Sequence, residues 1–430
     1  MPLLCGASAA NADTAPASGP VFGAPVDMGA GFKFDPIGDL RLRWEDVSQP
    51  VRNLSADAVT ARLRAGGEIS YAPSHLSALV EGEGNLAIDT GYNAFPYALP
   101  ASSQYRSTRA VVADPQNVGL NRAQVQYRDK HVSLTVGRQV IVLDDQRWVG
   151  ASAWRQNETT FDAVRGTAAF GPLALDATYS DSQRSVYGTD AGPRVSYNGR
   201  FEFLGASLGN TYLAVKGFAY LLDYDPTTFS NLAKTRSQLD SSQTYGVRAT
   251  SGLPLGKTVK LNLAASYARQ SSFRDNPRHY AADYWAAEAS LSAYGLTATA
   301  GYEDMGSDAS AQGGPWSVQT PMATLHAFDG WADVFLTTPA RGLKDQYGGL
   351  AYAFPKAIGI KGLTARVTYH QFDSDIQSVN YGHEWDGSAG FQTGRLNWLV
   401  KYADYKAVST SALGAGTTTR KFWLQSEFLF

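Results

Sequence analysis

The 430-residue sequence predicts an all-β fold, a transmembrane antiparallel barrel of about 18 strands, on three observations. Polar and apolar residues alternate with period two through most of the chain, the connections alternate between short and long, and the chain closes on an aromatic, apolar strand face. Composition removes the main alternatives. Only 18% of residues are charged, mean hydropathy is -0.24, and no stretch approaches the roughly 18 consecutive apolar residues of a spanning helix, so a membrane role must use strands. With 37 Lys and Arg against 39 Asp and Glu, and a pI near 6.3, no basic field points to nucleic acid. Cys5 stands alone, which excludes an internal disulfide framework and a multi-cysteine zinc site.

In chain order, residues 1–12 read as the remnant of a secretory signal, with Ala10 and Ala12 placed for cleavage before Asp13. Residues 13–36, rich in Ala, Gly and Pro, read as a flexible lead, and residues 37–430 as the barrel. Strand candidates fall near 37–47, 57–71, 75–87, 118–128, 131–140, 161–170, 173–181, 201–209 and 212–222. Nine more fall near 243–251, 257–269, 282–293, 295–304, 345–356, 361–372, 381–391, 394–405 and 418–430. Tight turns at Pro73-Ser74, Asp129-Lys130, Gly171-Pro172, Asn210-Thr211 and Tyr294-Gly295 alternate with long connections at 89–117, 141–160, 182–200, 223–242 and 305–344. A soluble sandwich has no reason to keep every second loop long, whereas an outer-membrane barrel has short periplasmic turns and longer outer loops. The last segment places Phe422, Leu424, Phe428 and Phe430 on one face, with Ser426 interrupting it. The abundant Tyr and Trp fit interfacial girdles.

If the apolar face meets lipid, the other face lines the lumen. By this parity it carries Arg41, Arg43, Arg62, Arg64, Arg122, Arg128, Lys216, Arg248, Lys260, Arg366, Arg395 and Lys401 against Glu45, Glu68, Glu81, Glu83, Glu288 and Glu303. Such an interior attracts anions, because low-dielectric walls focus the field and guanidinium groups hold carboxylates in bidentate fashion. The competing reading is that these charges pair with one another and keep the interior polar and rigid. Arg138, Arg165 and Arg269 fall on the outward face by the same parity.

One long connection reads Gly137-Arg-Gln-Val-Ile-Val-Leu-Asp-Asp-Gln-Arg-Trp-Val-Gly150, followed by Trp154-Arg-Gln-Asn157 and Thr160-Phe-Asp-Ala163. With Ala300-Gly-Tyr-Glu303, Thr320-Pro-Met-Ala-Thr-Leu-His-Ala-Phe-Asp-Gly-Trp-Ala-Asp-Val-Phe335, Thr338-Pro-Ala-Arg-Gly-Leu-Lys-Asp345 and Phe422-Trp-Leu424, this resembles the alginate-export family of outer-membrane porins over residues 37–430. The resemblance implies an 18-stranded monomeric barrel in the bacterial outer membrane, in contact with its lipid. It also implies an Arg-rich, anion-selective pore for uronate polysaccharide, and periplasmic export partners. Uptake of small anionic or sugar-acid solutes is the alternative. Arg147, Trp148, Arg155 and Asn157 carry over from the loop motif, and with Asp144, Asp145 and Asp162 they are expected to fix a constricting loop over or inside the pore.

Other motifs in the sequence fall short of a site. Gly252-Leu-Pro-Leu-Gly-Lys-Thr258 looks like a phosphate-binding loop, but Ser251 stands where its first glycine belongs and it joins two strands. Asp373, Asp375 and Asp386, with His383 and Glu384, make a weak calcium candidate without EF-hand spacing. His370, Asp373 and Ser374 are the one compact set suggestive of a rim hydrolase, and their alternating faces argue against it. A passive channel with no cofactor and no enzymatic activity is therefore expected.

Overall fold

The computed structural model describes residues 25–226, 238–355, 360–408 and 416–429. Eighteen antiparallel strands close into one barrel. They are β1 (Phe32–Ser48), β2 (Ala56–Tyr71), β3 (Leu76–Gly91), β4 (Asn117–Arg128), β5 (Val132–Gln139) and β6 (Thr160–Phe170). Next come β7 (Leu173–Arg184), β8 (Ser196–Gly209), β9 (Leu213–Tyr224), β10 (Ser242–Pro254), β11 (Val259–Ser272) and β12 (Ala281–Ala293). The last six are β13 (Leu296–Met305), β14 (Leu343–Ala353), β15 (Lys361–Asp373), β16 (Asn380–Thr393), β17 (Leu396–Ala407) and β18 (Thr419–Leu429). Each strand pairs with its neighbour in sequence, and β18 closes on β1 from Asp39 opposite Leu429 to Ser48 opposite Arg420. Closure leaves no open sheet edge, the condition for crossing lipid with strands.

Eighteen strands and the predicted order are both present. The first strand begins at Phe32, inside the stretch read as a lead, and a short ribbon at Val26–Gly29 folds back on it. The signal-like residues 1–12 and the terminal Phe430 lie outside the described residues. Strand β8 begins at Ser196, five residues before its predicted start, so the preceding loop is shorter than expected.

The pleat sorts side chains as the alternation requires. On β1, Leu40, Leu42 and Trp44 face outward while Arg41, Arg43 and Glu45 are buried inside. Outward Trp44, Trp285 and Trp385 lie near the long-loop end, and Tyr127, Tyr212 and Tyr294 lie at the short-turn end, giving two aromatic girdles. The turn between β12 and β13 is two residues, Tyr294 and Gly295, both at positive φ (51° and 85°), which matches the twist of a hairpin. A Cβ at Gly295 would sit 2.7 Å from the carbonyl oxygen of Ala353, so glycine is required there.

The interior is not uniformly polar. Toward the long-loop end, Phe161, Phe201, Phe203, Phe218, Tyr220 and Tyr284 point inward and pack with Ile141, Leu143 and Val149 from one loop and Met322, Trp331 and Phe335 from another. These loops therefore fold into the barrel, drawn by an apolar surface that water would otherwise cover.

The lipid face can be tested directly. Leu63 is half exposed at the middle of β2, and Leu63→Arg is expected to lower folding stability in lipid vesicles by about 2–4 kcal/mol, measured by denaturant titration. An unchanged midpoint would contradict the assigned face.

Candidate functional site

Two inward loops, residues 140–159 and 306–342, cross the lumen and are tied to walls on several sides. In the first, the carboxylate of Asp144 accepts from Lys216 Nζ of β9 at 2.8 and 2.9 Å and from the Tyr220 hydroxyl at 3.2 Å. Asp145 lies 2.7 Å from Arg248 of β10. Arg147 reaches Glu303 of β13 at 2.7 Å and Asp329 of the second loop at 3.0 Å. Trp148 packs between Phe218 and Tyr284. On the far wall, the carbonyl oxygen of Trp154 accepts from Arg43 Nη2 at 2.6 Å, that of Ala153 from Arg41 Nη1 at 3.1 Å, and Gln156 Nε2 donates to Thr60 Oγ1 of β2 at 2.8 Å.

The second loop is held as firmly. Backbone amides of Trp331 and Ala332 donate to Asp386 and Glu384 of β16 at 3.1 and 2.7 Å. Asp333 is a hub: Arg155 of the first loop, Lys421 of β18 and His326 lie within 2.9, 2.6 and 2.7 Å. The opposite ring nitrogen of His326 lies 2.9 Å from Lys401 Nζ of β17, and the ring stacks on Trp154 with centroids 4.6 Å apart. Since Lys401 can only donate, this contact places the acceptor nitrogen toward it and the ring proton toward Asp333. Lys401 also sits 3.7 Å above Trp331 and 4.1 Å above Trp154.

The arginines of β1, β2 and β4 form a ladder on one wall. Arg41 pairs with Glu427 at 2.8 Å, Arg43 with Asp114 at 3.2 Å, and Arg62 with both Asp39 and Glu427. Arg64 meets Glu83 at 2.6 Å and Glu158 at 3.2 Å, and Arg122 grips Glu81 through two nitrogens at 3.0 and 2.7 Å. The expected excess of positive charge is thus largely answered by carboxylates, two of which, Asp114 and Glu158, come from loops. Arg62 Nε and Nη1 and Arg64 Nη2 are buried without a hydrogen-bond partner among the described residues.

Other expected positions differ. Arg395 lies in the two-residue turn between β16 and β17, because that strand starts at Leu396 and not at 394. Arg128 and Lys260 are exposed within two residues of short turns, beyond the ladder. Arg366 is half-buried, donates to Thr368 at 3.2 Å and stands 5.9 Å from the Trp331 ring. Asp162 does not join the loop network: it holds Arg138, two strands of one outer wall meeting at 2.7 Å. Asn157 donates to the carbonyls of Pro115 and Val186. Arg165, assigned outward, faces the lumen and pairs with Asp176: Phe161 and Ala163 share its parity and also point inward, against the loops, so the inner face of β6 begins apolar and the polar-inside rule misplaces it.

The calcium candidate is not assembled. Asp375 is taken by Lys344 and the Ser307 amide, Asp386 faces the lumen beside His370 and Trp331, and Asp373 ends β15. Among the described residues no three such groups are placed to hold a metal. His370 pairs with Asp345 at 2.9 Å, and the Ser374 hydroxyl donates to the Ile376 carbonyl, so the hydrolase set is not assembled either. Sequence reading had no role for Asp114, His326, Asp329, Asp333 or Lys421. Asp329 and Asp333 lie inside the Thr320–Phe335 motif, whose acidic pair was the available signal.

Burial pushes the Asp333 carboxyl up, yet His326, Lys421 and Arg155 together hold it well below the usual carboxylate range. A depressed folded-state value stabilises above the unfolded value, about 3.9, and the gain is lost as pH falls toward the folded value. The stability gap between the wild type and Asp333→Asn is therefore expected to stay constant from about pH 7 to pH 5 and to narrow below about pH 4. Urea titrations across that range measure it, and a gap that closes between neutral pH and pH 6 would contradict the assignment.

The barrel has close structural counterparts. OccAB3 of Acinetobacter baumannii aligns with TM-score 0.67 and 14% identity over 92% of this chain and 99% of that one. OpdK of Pseudomonas aeruginosa, solved with vanillate, aligns with TM-score 0.65 and 14% identity over 92% and 98%. OccK9 (OpdG) of Pseudomonas aeruginosa gives 0.67 and 13% over 92% and 97%. No curated protein matches the chain. The Alginate export family model matches residues 33–302, well over half of the sequence and the whole arginine ladder from Arg41 to Arg122. On this match and on its closed 18-stranded barrel, the chain belongs to the Alginate export family of channels in the bacterial outer membrane.

Proposed function

We propose that the protein is a passive channel that exports a uronate polysaccharide of the alginate kind. The arginine ladder is the observation that carries the reading. Its guanidinium groups sit on β1, β2 and β4 of one wall, each in contact with a carboxylate that a solute carboxylate can replace at nearly constant charge. Resident acids also weaken the hold of each rung on the cargo, and a moving polymer needs sites strong enough to enter and weak enough to leave. The buried, unpartnered nitrogens of Arg62 and Arg64 become donors for such a contact once the loops yield.

For a polymer to pass, the 140–159 and 306–342 loops must yield, because backbone carbonyls of the first now cap Arg41 and Arg43 and the second is tied to it through Arg155 and Asp333. Uptake of small anionic or sugar-acid solutes is the second reading. It is favoured by a cavity of about 80 Å³ beneath Phe328 to Trp331, lined by Arg248, Arg366, His370 and several carboxylates. The solution of OpdK with vanillate points the same way.

Single-channel recording in planar bilayers separates them. A uronate hexamer is expected to interrupt the wild-type current, and R62Q/R64Q to raise the half-blocking concentration about tenfold, as the loss of one charge-assisted hydrogen bond predicts. Equal interruption by the monomer favours the second reading, and indifference to both sugars contradicts the carboxylate assignment.

A further inference from the structure

We infer that the periplasmic mouth is a capture surface for polyanions, so that the channel loads from that side; the inference rests on the reading of the cargo as an anionic sugar chain. The eight short connections, with the two strand residues flanking each, carry six cations among the described residues: Arg128, Lys130, Lys257, Lys260, Lys361 and Arg395. They carry one carboxylate, Asp129. All six cations are exposed. Among the described residues none of them enters an ion pair. Asp129 is occupied by its own turn, accepting from the amides of His131 and Val132 at 2.7 and 2.8 Å and from the Tyr127 hydroxyl at 3.0 Å. The N-terminal ribbon is balanced, with Asp27 opposite Lys33, and carboxylates return further up at Asp35 and Glu68.

The other end of the barrel is built differently. There Arg200 pairs with Asp223, Arg269 with Asp283, Lys344 with Asp375 and Lys406 with Asp404. At the short-turn mouth six cations thus stand against one occupied carboxylate, whereas at the long-loop end carboxylates are interspersed and several cations pair with them, so the fields of the two mouths differ. Free charges at a rim raise the arrival rate of an oppositely charged chain by about ten- to a thousandfold at low salt. Several weak contacts along one polymer also act together, since the second binds at the effective concentration set by the first.

Their distribution favours a flexible chain over a docked acidic protein. The six occupy the connections β4–β5, β10–β11, β14–β15 and β16–β17, with the uncharged turns Gly171-Pro172 and Tyr294-Gly295 between them around the rim. A chain bound for the lumen passes all of these, whereas a protein face would need them gathered on one side.

The test uses the full barrel in an oriented planar bilayer, with a uronate oligomer or dextran sulfate added to one side at a time. At low salt, interruptions by either polymer are expected about tenfold more often from the periplasmic side, and R128Q/K130Q/K257Q/K260Q/K361Q/R395Q removes that preference while the duration of each interruption holds. Raising the salt abolishes the preference in the wild type, as screening requires. Equal rates from both sides for both polymers in the wild type overturn the inference. A preference that survives in the variant overturns it as well and assigns the cations to lipid headgroups or an acidic protein. If dextran sulfate keeps its preference and the uronate never interrupts the current, the capture surface stands and the polyuronate reading of the lumen falls.

Discussion

Charge taken into the lumen of a closed barrel has to be met by opposite charge, and here much of it is met by loops. The wall of β1, β2, β17 and β18 brings Arg41, Arg43, Arg62, Arg64, Lys401 and Lys421 inward. Asp114 and Glu158 come to Arg43 and Arg64, and Asp333 comes to Lys421, all three from connections between strands. Across the lumen the sign reverses, and Arg147 of a loop comes to Glu303 of the wall. Buried pairs of this kind contribute little net stability against an apolar alternative, but breaking one costs about 3–5 kcal/mol. They therefore fix where a loop lies more than they stabilise the barrel, which is the property a constriction needs.

Aromatic packing works alongside this charge matching. Trp148 between Phe218 and Tyr284, and Trp154 on His326 and Trp423, remove apolar area from water at the points where the loops cross. The result is a lumen with an apolar, loop-filled region and a charged ladder beside it. In the function proposed above, the acid groups of a carboxylated sugar would meet the guanidinium row and its ring faces the indole and phenol rings.

Much of the fold was legible because strand structure is local. Period-two alternation located all 18 strands, and the short and long rhythm of connections fixed their up-and-down order, since both signals lie within a few residues of the element they specify. Parity also put Arg41, Arg43, Arg62 and Arg64 on the inner face. It failed at β6, where apolar Phe161 and Ala163 face inward with Arg165 because the loops pack on them, and at Arg395, where the strand begins one residue after it. The pairing network was not legible for a different reason. Arg147 finds Glu303 and Asp329, and Arg155 finds Asp333, at separations of well over a hundred residues, which no local pattern encodes. The expectation that Asp162 would join the loop network failed because its side of β6 faces Arg138 of the neighbouring strand.

The central claim is that this barrel passes a carboxylated sugar chain and selects it by charge. Release from proteoliposomes tests it most directly: vesicles loaded with a fluorescent polyuronate and a neutral dextran of equal length are followed after the protein is inserted. The account predicts that the polyuronate escapes and the dextran is retained. Retention of both, or escape of both at the same rate, would contradict it.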